Sequence, residues 1–414
     1  MLSSYRQIFA APGSLAFSTS GFVSRLPISM TGIGIFTMLS LFRGSYGTAG
    51  AVTGMLALSA AVLGPQVSRL VDRHGQRRVS RPATLLAVAS GGALLACARL
   101  GAPEWTLFLF AAGMGVMPST GSMVRARWAH LYRDAPQRLH TAYSFEAVVD
   151  ELCFIVGPIL SIGLATAVFP EAGVALSGVF LLAGVWMFTA QRRTEPPVHP
   201  PEHRSGGTAM RSAGLQVLVV TFVATGAIFG SVEAVTVAFA REQGHVGLSM
   251  LVLAVYALGS CLAGVVFGAL RPKGSMAGRF LAGIAGMAVL MLPLVAVASL
   301  LHGTAALVGV GAALFLAGLS ISPTLITAMA LVERLVPAAQ LTEGMTWTTT
   351  GLALGVALGS AAAGWVVDAA GGAAGYWVPV AAAVFAALAA LAGLPRLRSG
   401  LRVPQPEPVA SAPR

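Results

Sequence analysis

The sequence predicts an all-α membrane protein with twelve spanning helices in two pseudo-symmetric six-helix bundles, and three observations carry that prediction. Of its 414 residues 56% are apolar and only 10% charged, with a mean hydropathy of +0.79. Soluble domains are about half apolar and a quarter charged, so both figures point to lipid. The apolar residues form continuous runs of about twenty, the length that crosses ~30 Å of hydrocarbon. A backbone in lipid must satisfy its own hydrogen bonds, and continuous rather than alternating runs select helices over a barrel. Finally, the runs fall into two sets of six around a polar centre.

The first set lies at about 14–42, 47–70, 79–101, 104–130, 138–168 and 171–191. Mixed charge and the prolines 196, 197, 200 and 201 then make 192–211 a solvated linker. The second set lies at about 212–240, 246–270, 276–301, 304–333, 338–368 and 374–395. The chain thus divides into an N-terminal bundle (1–191), the linker (192–211), a C-terminal bundle (212–397) and a Pro-rich tail (398–414) expected to be disordered. The two sets also echo each other. At an offset of 200, Gly64 meets Gly264, Ser68 meets Gly268 and Arg73 meets Lys273; at 202, Ser144-Phe145 meets Thr346-Trp347 and Gly157 meets Gly359. Parallel repeats of this kind build transporters whose site lies between two halves that rock about it.

Net charge is +11, yet no basic helix or aromatic-basic interleaving on a soluble face suggests nucleic acid. The positive-inside rule accounts for the excess. With the N-terminus inside, all of the 26 basic residues except Arg25, Arg43, Arg99 and Arg241 lie on the cytoplasmic side. Both termini are therefore expected in the cytoplasm of a plasma-membrane protein, with a monomer as the expected state. Met1 to Pro12 shows no cleavable signal, so the first helix is expected to direct insertion. Cys97, Cys153 and Cys261 sit in apolar runs and read as small core residues. His199 and His203 flank Pro200 and Pro201, so they share no helical face on which to hold a metal. No nucleophile elbow, zinc spacing or Walker sequence appears, so neither a cofactor nor an enzyme is expected.

Charges inside apolar helices carry the functional signal, since each costs ~2.5–3.5 kcal/mol at the bilayer centre. Helix 5 holds Glu146, Asp150 and Glu151, of which the first two share a face at a spacing of four while Glu151 points elsewhere. Counted from helix entry near Thr141 and Ser14, Asp150 lies about 13 Å deep and Arg25 about 16 Å deep. An Arg25–Asp150 or Arg25–Glu146 pair follows, either a static packing pair or part of a working site. Three carboxylates face one arginine, so an acid left without a partner, Glu151 or Glu146, is a candidate proton carrier. Glu233 falls in the outer third of helix 7, to bind a cation, close an outer gate or reach the interface. Leu109 occupies the place before Gly113 where an intramembrane arginine is often found in proton antiporters, and Arg125 and Arg127 read as orientation anchors near the cytosol.

Between helices 2 and 3 the chain reads Gly64-Pro-Gln-Val-Ser-Arg-Leu-Val-Asp-Arg-His-Gly-Gln-Arg-Arg78. This turn resembles the Gly-x-Leu-Ala-Asp-Arg-x-Gly-Arg-Arg pattern of the major facilitator superfamily of transporters. Leu70, Asp72, Arg73, Gly75, Arg77 and Arg78 are in register, with Ser68 at the first glycine. Gly157-Pro158 resembles the core of that superfamily's antiporter motif in helix 5, Cys153 and Ser161 replacing its outer glycines. A proline there kinks the helix, and small residues let helices approach.

The resemblance implies that helices 1, 4, 7 and 10 line a cavity flanked by 2, 5, 8 and 11. It also implies that Asp72 caps helix 11, near Thr342 and Glu343, while the arginines of the turn pair with nearby acids such as Asp134 and Glu333. The function implied is secondary transport of a small molecule, with proton-coupled efflux of an amphipathic drug or metabolite as the leading form. Uptake of a sugar or other nutrient is the alternative, although Arg192-Arg193-Thr194-Glu195-Pro196 is not the sugar-porter signature Pro-Glu-Ser-Pro-Arg. A non-transporting sensor or scaffold is the alternative of another class.

Overall fold

Each apolar run closes its own backbone hydrogen bonds as a helix. In the computed structural model α1 (Leu2–Ile8) precedes α2 (Ser14–Arg43), α3 (Tyr46–His74), α4 (Gln76–Arg99), α5 (Glu104–Met114), α6 (Thr120–Leu131), α7 (Pro136–Ala167) and α8 (Ala172–Ala190). The second series is α9 (Ala213–Glu242), α10 (Ser249–Ala269), α11 (Met276–Leu300), α12 (Gly303–Gly318), α13 (Ile321–Leu335), α14 (Leu341–Ala370), α15 (Gly372–Gly375), α16 (Trp377–Ala392) and α17 (Leu394–Gly400). The structure describes residues 2–43, 46–198, 207–245, 248–270 and 274–400; the expectations placed on His199, His203 and Lys273 lie outside them.

Among the described residues, 11 helices are long and apolar enough to cross a membrane. The shorter apolar α5 is continued by α6, completing twelve passes. Two passes are not the single runs expected. The fourth breaks between α5 and α6, where Pro118 has no N–H to donate. The tenth breaks between α12 and α13, because Pro323 leaves the Leu319 carbonyl without its partner four residues on. The breaks fall at corresponding places in the two halves. The stretch from 398 to 400, assigned to the tail, is helical as part of α17, whose Leu397 is fully buried.

The internal repeat is visible in how the helices pack. α2 pairs with α7 and α8 as α9 pairs with α14 and α16; α3 pairs with α5 as α10 does with α12; α4 pairs with α5 and α8 as α11 does with α12 and α16. The halves meet where α3 packs on α14 and where α7 packs on α10 and α13. Those are passes 2, 11, 5, 8 and 10. An even number of passes in each half brings α1, the α3–α4 turn, both described ends of the linker and α17 to one end, hereafter the basic end.

Lipid offers no hydrophobic drive between helices, so close packing of small residues must hold them together. At the α9–α14 crossing the contacts are reciprocal. A Cβ on Gly226 or Gly230 would run into the Leu352 or Val356 carbonyl, and one on Gly355 or Gly359 into the Val223 or Ala227 carbonyl. In the other half, a Cβ on Gly157 of α7 would strike Ser29 of α2. Gly157 and Gly359, matched at the 202-residue offset, thus mark the same crossing in each half. Gly355→Ala is expected to lower stability by about 1–3 kcal/mol through overpacking against backbone. Gly286→Ala, with nothing within 4 Å of its Cβ, should stay within about 0.5 kcal/mol. Thermal melting of the purified variants in detergent measures both, and equal melting points would refute the packing argument.

Candidate functional site

The buried charges of the N-terminal half converge on one cluster. Arg25 of α2 is 1% exposed, and its Nη2 and Nη1 donate to Glu146 and Asp150 of α7, the latter at 2.9 Å. The sequence offered these two pairs as alternatives; both form at once. Its Nε donates to the Gly21 carbonyl at 3.2 Å, so every Arg25 nitrogen is engaged. Arg125 of α6 closes the cluster by pairing with the other Asp150 oxygen, and the Trp128 indole N–H donates to Glu146 at 2.7 Å. Two arginines and two carboxylates balance in charge. A buried ion is tolerated when paired and hydrogen-bonded. Only the Asp150 side chain, 33% exposed, opens the cluster to its surroundings.

Reading Arg125 and Arg127 as orientation anchors is thereby corrected. Pro118 ends α5 early, and α6 restarts with both arginines facing inward: Arg125 is 7% exposed and Arg127 fully buried. Arg127 donates to Gln76, the Gln191 carbonyl and Thr194 at 2.8–2.9 Å, and its guanidinium lies 3.8 Å from the Phe188 ring centroid. It fastens the start of the linker to α4 and α8. The available signal was the run Thr120-Gly-Ser-Met-Val124 ahead of Arg125, small and apolar enough for a buried helix.

Glu151, the third carboxylate of α7, forms no ion pair among the described residues. It accepts a hydrogen bond from Ser260 of α10 at 2.8 Å, and Ser260 in turn lies 2.8 Å from Ser322 of α13. One helical turn before Ser260, the buried Tyr256 hydroxyl has no hydrogen-bond partner among the described residues. Glu151 thus stands on the seam between the halves, among hydroxyls. Glu233 of α9 is exposed and takes no part in either cluster.

From Glu151 to the basic end the seam is stitched by hydrogen bonds. Thr141 and His140 reach the carbonyls of Gly268 and Phe267, and Gln137 that of Leu270, each at 2.9 Å. Ser68 lies 2.8 Å from Thr346, which donates to Ser122 at 3.0 Å. Tyr5 of α1 crosses to the Val265 carbonyl at 2.9 Å, while Phe9 packs edge-on against Trp128 and Phe145. Nothing in the residues before α2 signals that this segment takes part. Among the described residues, no hydrogen bond joins the halves on the far side of Glu151–Ser260.

The α3–α4 turn lies at the foot of this seam. Gly75 adopts φ +93°, a conformation that side chains disfavour, which explains the glycine of the motif. Asp72 accepts the backbone N–H groups of Thr342 and Glu343 at 3.3 and 2.9 Å, capping α14 as the resemblance implied. A carboxylate at a helix N-terminus gains ~0.3–1 kcal/mol. Among the described residues, no ion pair joins an arginine of the turn to Asp134 or Glu333. Asp134 pairs with its neighbour Arg133, and Glu333 accepts from Tyr143 at 3.4 Å. Arg78 is exposed, and the Arg77 backbone N–H donates to Glu195 at 3.1 Å.

The motif of helix 5 is a contact surface. Ser29 of α2 donates to the Cys153 carbonyl at 2.7 Å, Gly157 receives the Ser29 side chain, and Ser161 donates to the Met30 carbonyl at 2.9 Å. Pro158 lies within the continuous α7. The residues that depart from the motif, Cys153 and Ser161, occupy the same face.

The charge cluster predicts non-additive stability. Arg125→Gln, which strips Asp150 of one partner, should cost about 3–5 kcal/mol, whereas Arg125→Gln combined with Asp150→Asn should recover most of it. Melting points of the single and double variants measure this, and additive losses would mean that the pair is not coupled.

The Major Facilitator Superfamily profile matches residues 17–315, well over half of the chain. None of the curated proteins matches the sequence. Among solved structures, a bacterial homologue of the iron transporter ferroportin in an outward-facing state superposes with TM-score 0.73 at 17% identity, covering 92% of this chain and 99% of that one. The human organic anion transporter MFSD10 (TETRAN) gives 0.70 at 15% identity, covering 92% and 100%. FucP, a Major Facilitator Superfamily transporter in the outward conformation, gives 0.69 at 12% identity, covering 92% and 98%. At these identities the likeness is one of fold. With the profile match, the repeated packing and the capped helix 2–3 turn in agreement, this multi-pass membrane protein belongs to the Major Facilitator Superfamily of transporters.

Proposed function

We propose that the chain is a proton-coupled secondary transporter that exports a small amphipathic drug or metabolite by alternating access. It works as a monomer in the plasma membrane with both termini in the cytoplasm. The observation that carries proton coupling is Glu151: Arg25 and Arg125 neutralise Glu146 and Asp150, which leaves the third α7 carboxylate held by the Ser260 hydroxyl, with no ion pair among the described residues. An intramembrane acid without a cation is the group best suited to take up and release a proton. Ionised, Glu151 draws the Ser260 hydroxyl and ties α7 to α10; protonated, it holds that tie less strongly. Proton occupancy and the seam between the halves are thus linked.

Among the described residues, the hydrogen bonds of the seam all lie between Glu151 and the basic end, which the positive-inside rule assigns to the cytoplasm. The state described is on this reading closed to the cytoplasm, consistent with the outward-facing conformations of the ferroportin homologue and FucP. Opening towards the cytoplasm then requires Asp72 to release α14 and Tyr5 to release α10. The resemblance of Gly157-Pro158 to the antiporter motif of helix 5 supports export. Asp150, as the exposed member of the charge cluster, is the group a substrate can reach.

A panel of toxic compounds applied to hypersensitive cells carrying the protein identifies a substrate and tests export at once. With that substrate in proteoliposomes, Glu151→Gln should reduce transport driven by a pH gradient at least tenfold while preserving exchange without a gradient. Wild-type uphill transport by Glu151→Gln would remove the residue from coupling. Asp72→Asn should slow turnover roughly two- to fivefold, the equivalent of the ~0.3–1 kcal/mol of its helix cap. Normal turnover at normal expression would remove the cap from the cycle.

A further inference from the structure

The α3–α4 turn has a second face, opposite the one that caps α14. There Arg77, Arg78, Arg81, Arg192 and Glu195 line an open cleft of about 560 Å³. Four arginines meet one acid, and that acid is already committed, since Glu195 accepts the Arg77 N–H in the first turn of α4. None of the four arginines forms an ion pair among the described residues. Arg81 is set in place from behind. Its Nε donates to Thr189 at 3.0 Å and its guanidinium lies 5.2 Å from the Trp186 ring centroid, which leaves its remaining nitrogens for an anion.

The surroundings of the cleft distinguish a lipid from a free anion. It lies where α3 and α8 end and α4 begins, the depth at which tryptophans mark a membrane interface. Arg78, Arg81 and Leu85 follow one another at spacings of three and four along a single stripe of α4. Leu85 and Leu86 are 52% and 54% exposed, so an apolar surface continues from the charged cleft towards the bilayer. Basic pockets beside spanning helices bind acidic lipid head groups through such an arrangement.

We propose that this cleft binds the phosphate of an anionic phospholipid, held by Arg78, Arg81 and Arg192, with its acyl chains lying along α4 at Leu85 and Leu86. The lipid buttresses the α3–α4 turn from the face that Asp72 leaves free. The inference rests on the membrane architecture and not on proton coupling or export.

The test is native mass spectrometry of the full chain with dioleoylphosphatidylglycerol, alongside dioleoylphosphatidylcholine and inorganic phosphate. Phosphatidylglycerol should be retained and phosphatidylcholine not, and the combined Arg78→Gln, Arg81→Gln and Arg192→Gln variant should retain at least tenfold less. Arg133→Gln, Arg138→Gln and Arg396→Gln together remove the same charge from the same end and should leave retention unchanged. Thermal melting establishes that each variant is folded; should the first triple variant fail to fold, Arg192→Glu alone, on an exposed residue, replaces it with the same expected loss. Equal losses in both triple variants would reduce the effect to general surface charge and overturn the site. Undiminished retention in the first would do the same, and displacement of the lipid by inorganic phosphate at equal concentration would overturn the assignment to a lipid.

Discussion

Four paired charges at the crossing of the first, fourth and fifth passes, three of them buried, impose the tightest constraint on this molecule. Neither arginine can leave its acids without stranding an ion in a medium that penalises it by several kcal/mol. α2, α6 and α7 are therefore joined into one unit, and the unit reaches further than its charges. Trp128 donates to Glu146, packs on Phe17 at a centroid distance of 4.5 Å, and receives Phe9 of the segment before α2. The position of α1 across the seam, including Tyr5 on the Val265 carbonyl, follows from that aromatic cluster.

The two halves solve the same packing problem by different chemistry. In the C-terminal half the corresponding crossing, α9 on α14, is made by Gly226, Gly230, Gly355 and Gly359, with backbone approaching backbone. In the N-terminal half α2 and α7 are joined by Gly157 and by the charge cluster together. Gly157 and Gly359 hold equivalent places in the two crossings, while among the described residues the ion pairs at these crossings are confined to the N-terminal one. The C-terminal crossing thus rests on close backbone approach, whereas the N-terminal one also carries ion pairs.

Much of this was legible from the chain, for identifiable reasons. Charges are so rare that Arg25, Glu146 and Asp150 stood out, and the fixed rise of a helix placed them at a common depth before any contact was known. The helix 2–3 turn was recognisable because Asp72 and Gly75 each serve a local backbone need, one a cap and the other a positive φ. Arg125 was misjudged because its depth depends on where the fourth pass restarts, and Pro118 moves that point. The Glu151–Ser260 contact could not be read at all. It joins residues 109 positions apart across the two halves, and a serine in an apolar helix gives no sequence signal of its partner.

The turn between α3 and α4 shows why a short charged segment tolerates so little change. Asp72 faces the other half and satisfies two N–H groups of α14, while Arg77, Arg78 and Arg81 face their own half around the cleft beside Glu195. A single glycine at positive φ separates the two faces. A bulkier residue at position 75 would also meet Glu195 and Val198 at 3.3 Å, disturbing the side chain that caps α4. Both faces thus depend on one backbone conformation. Capping of one half and basic character in the other are therefore consequences of a single tight turn rather than separate properties of the residues that flank it.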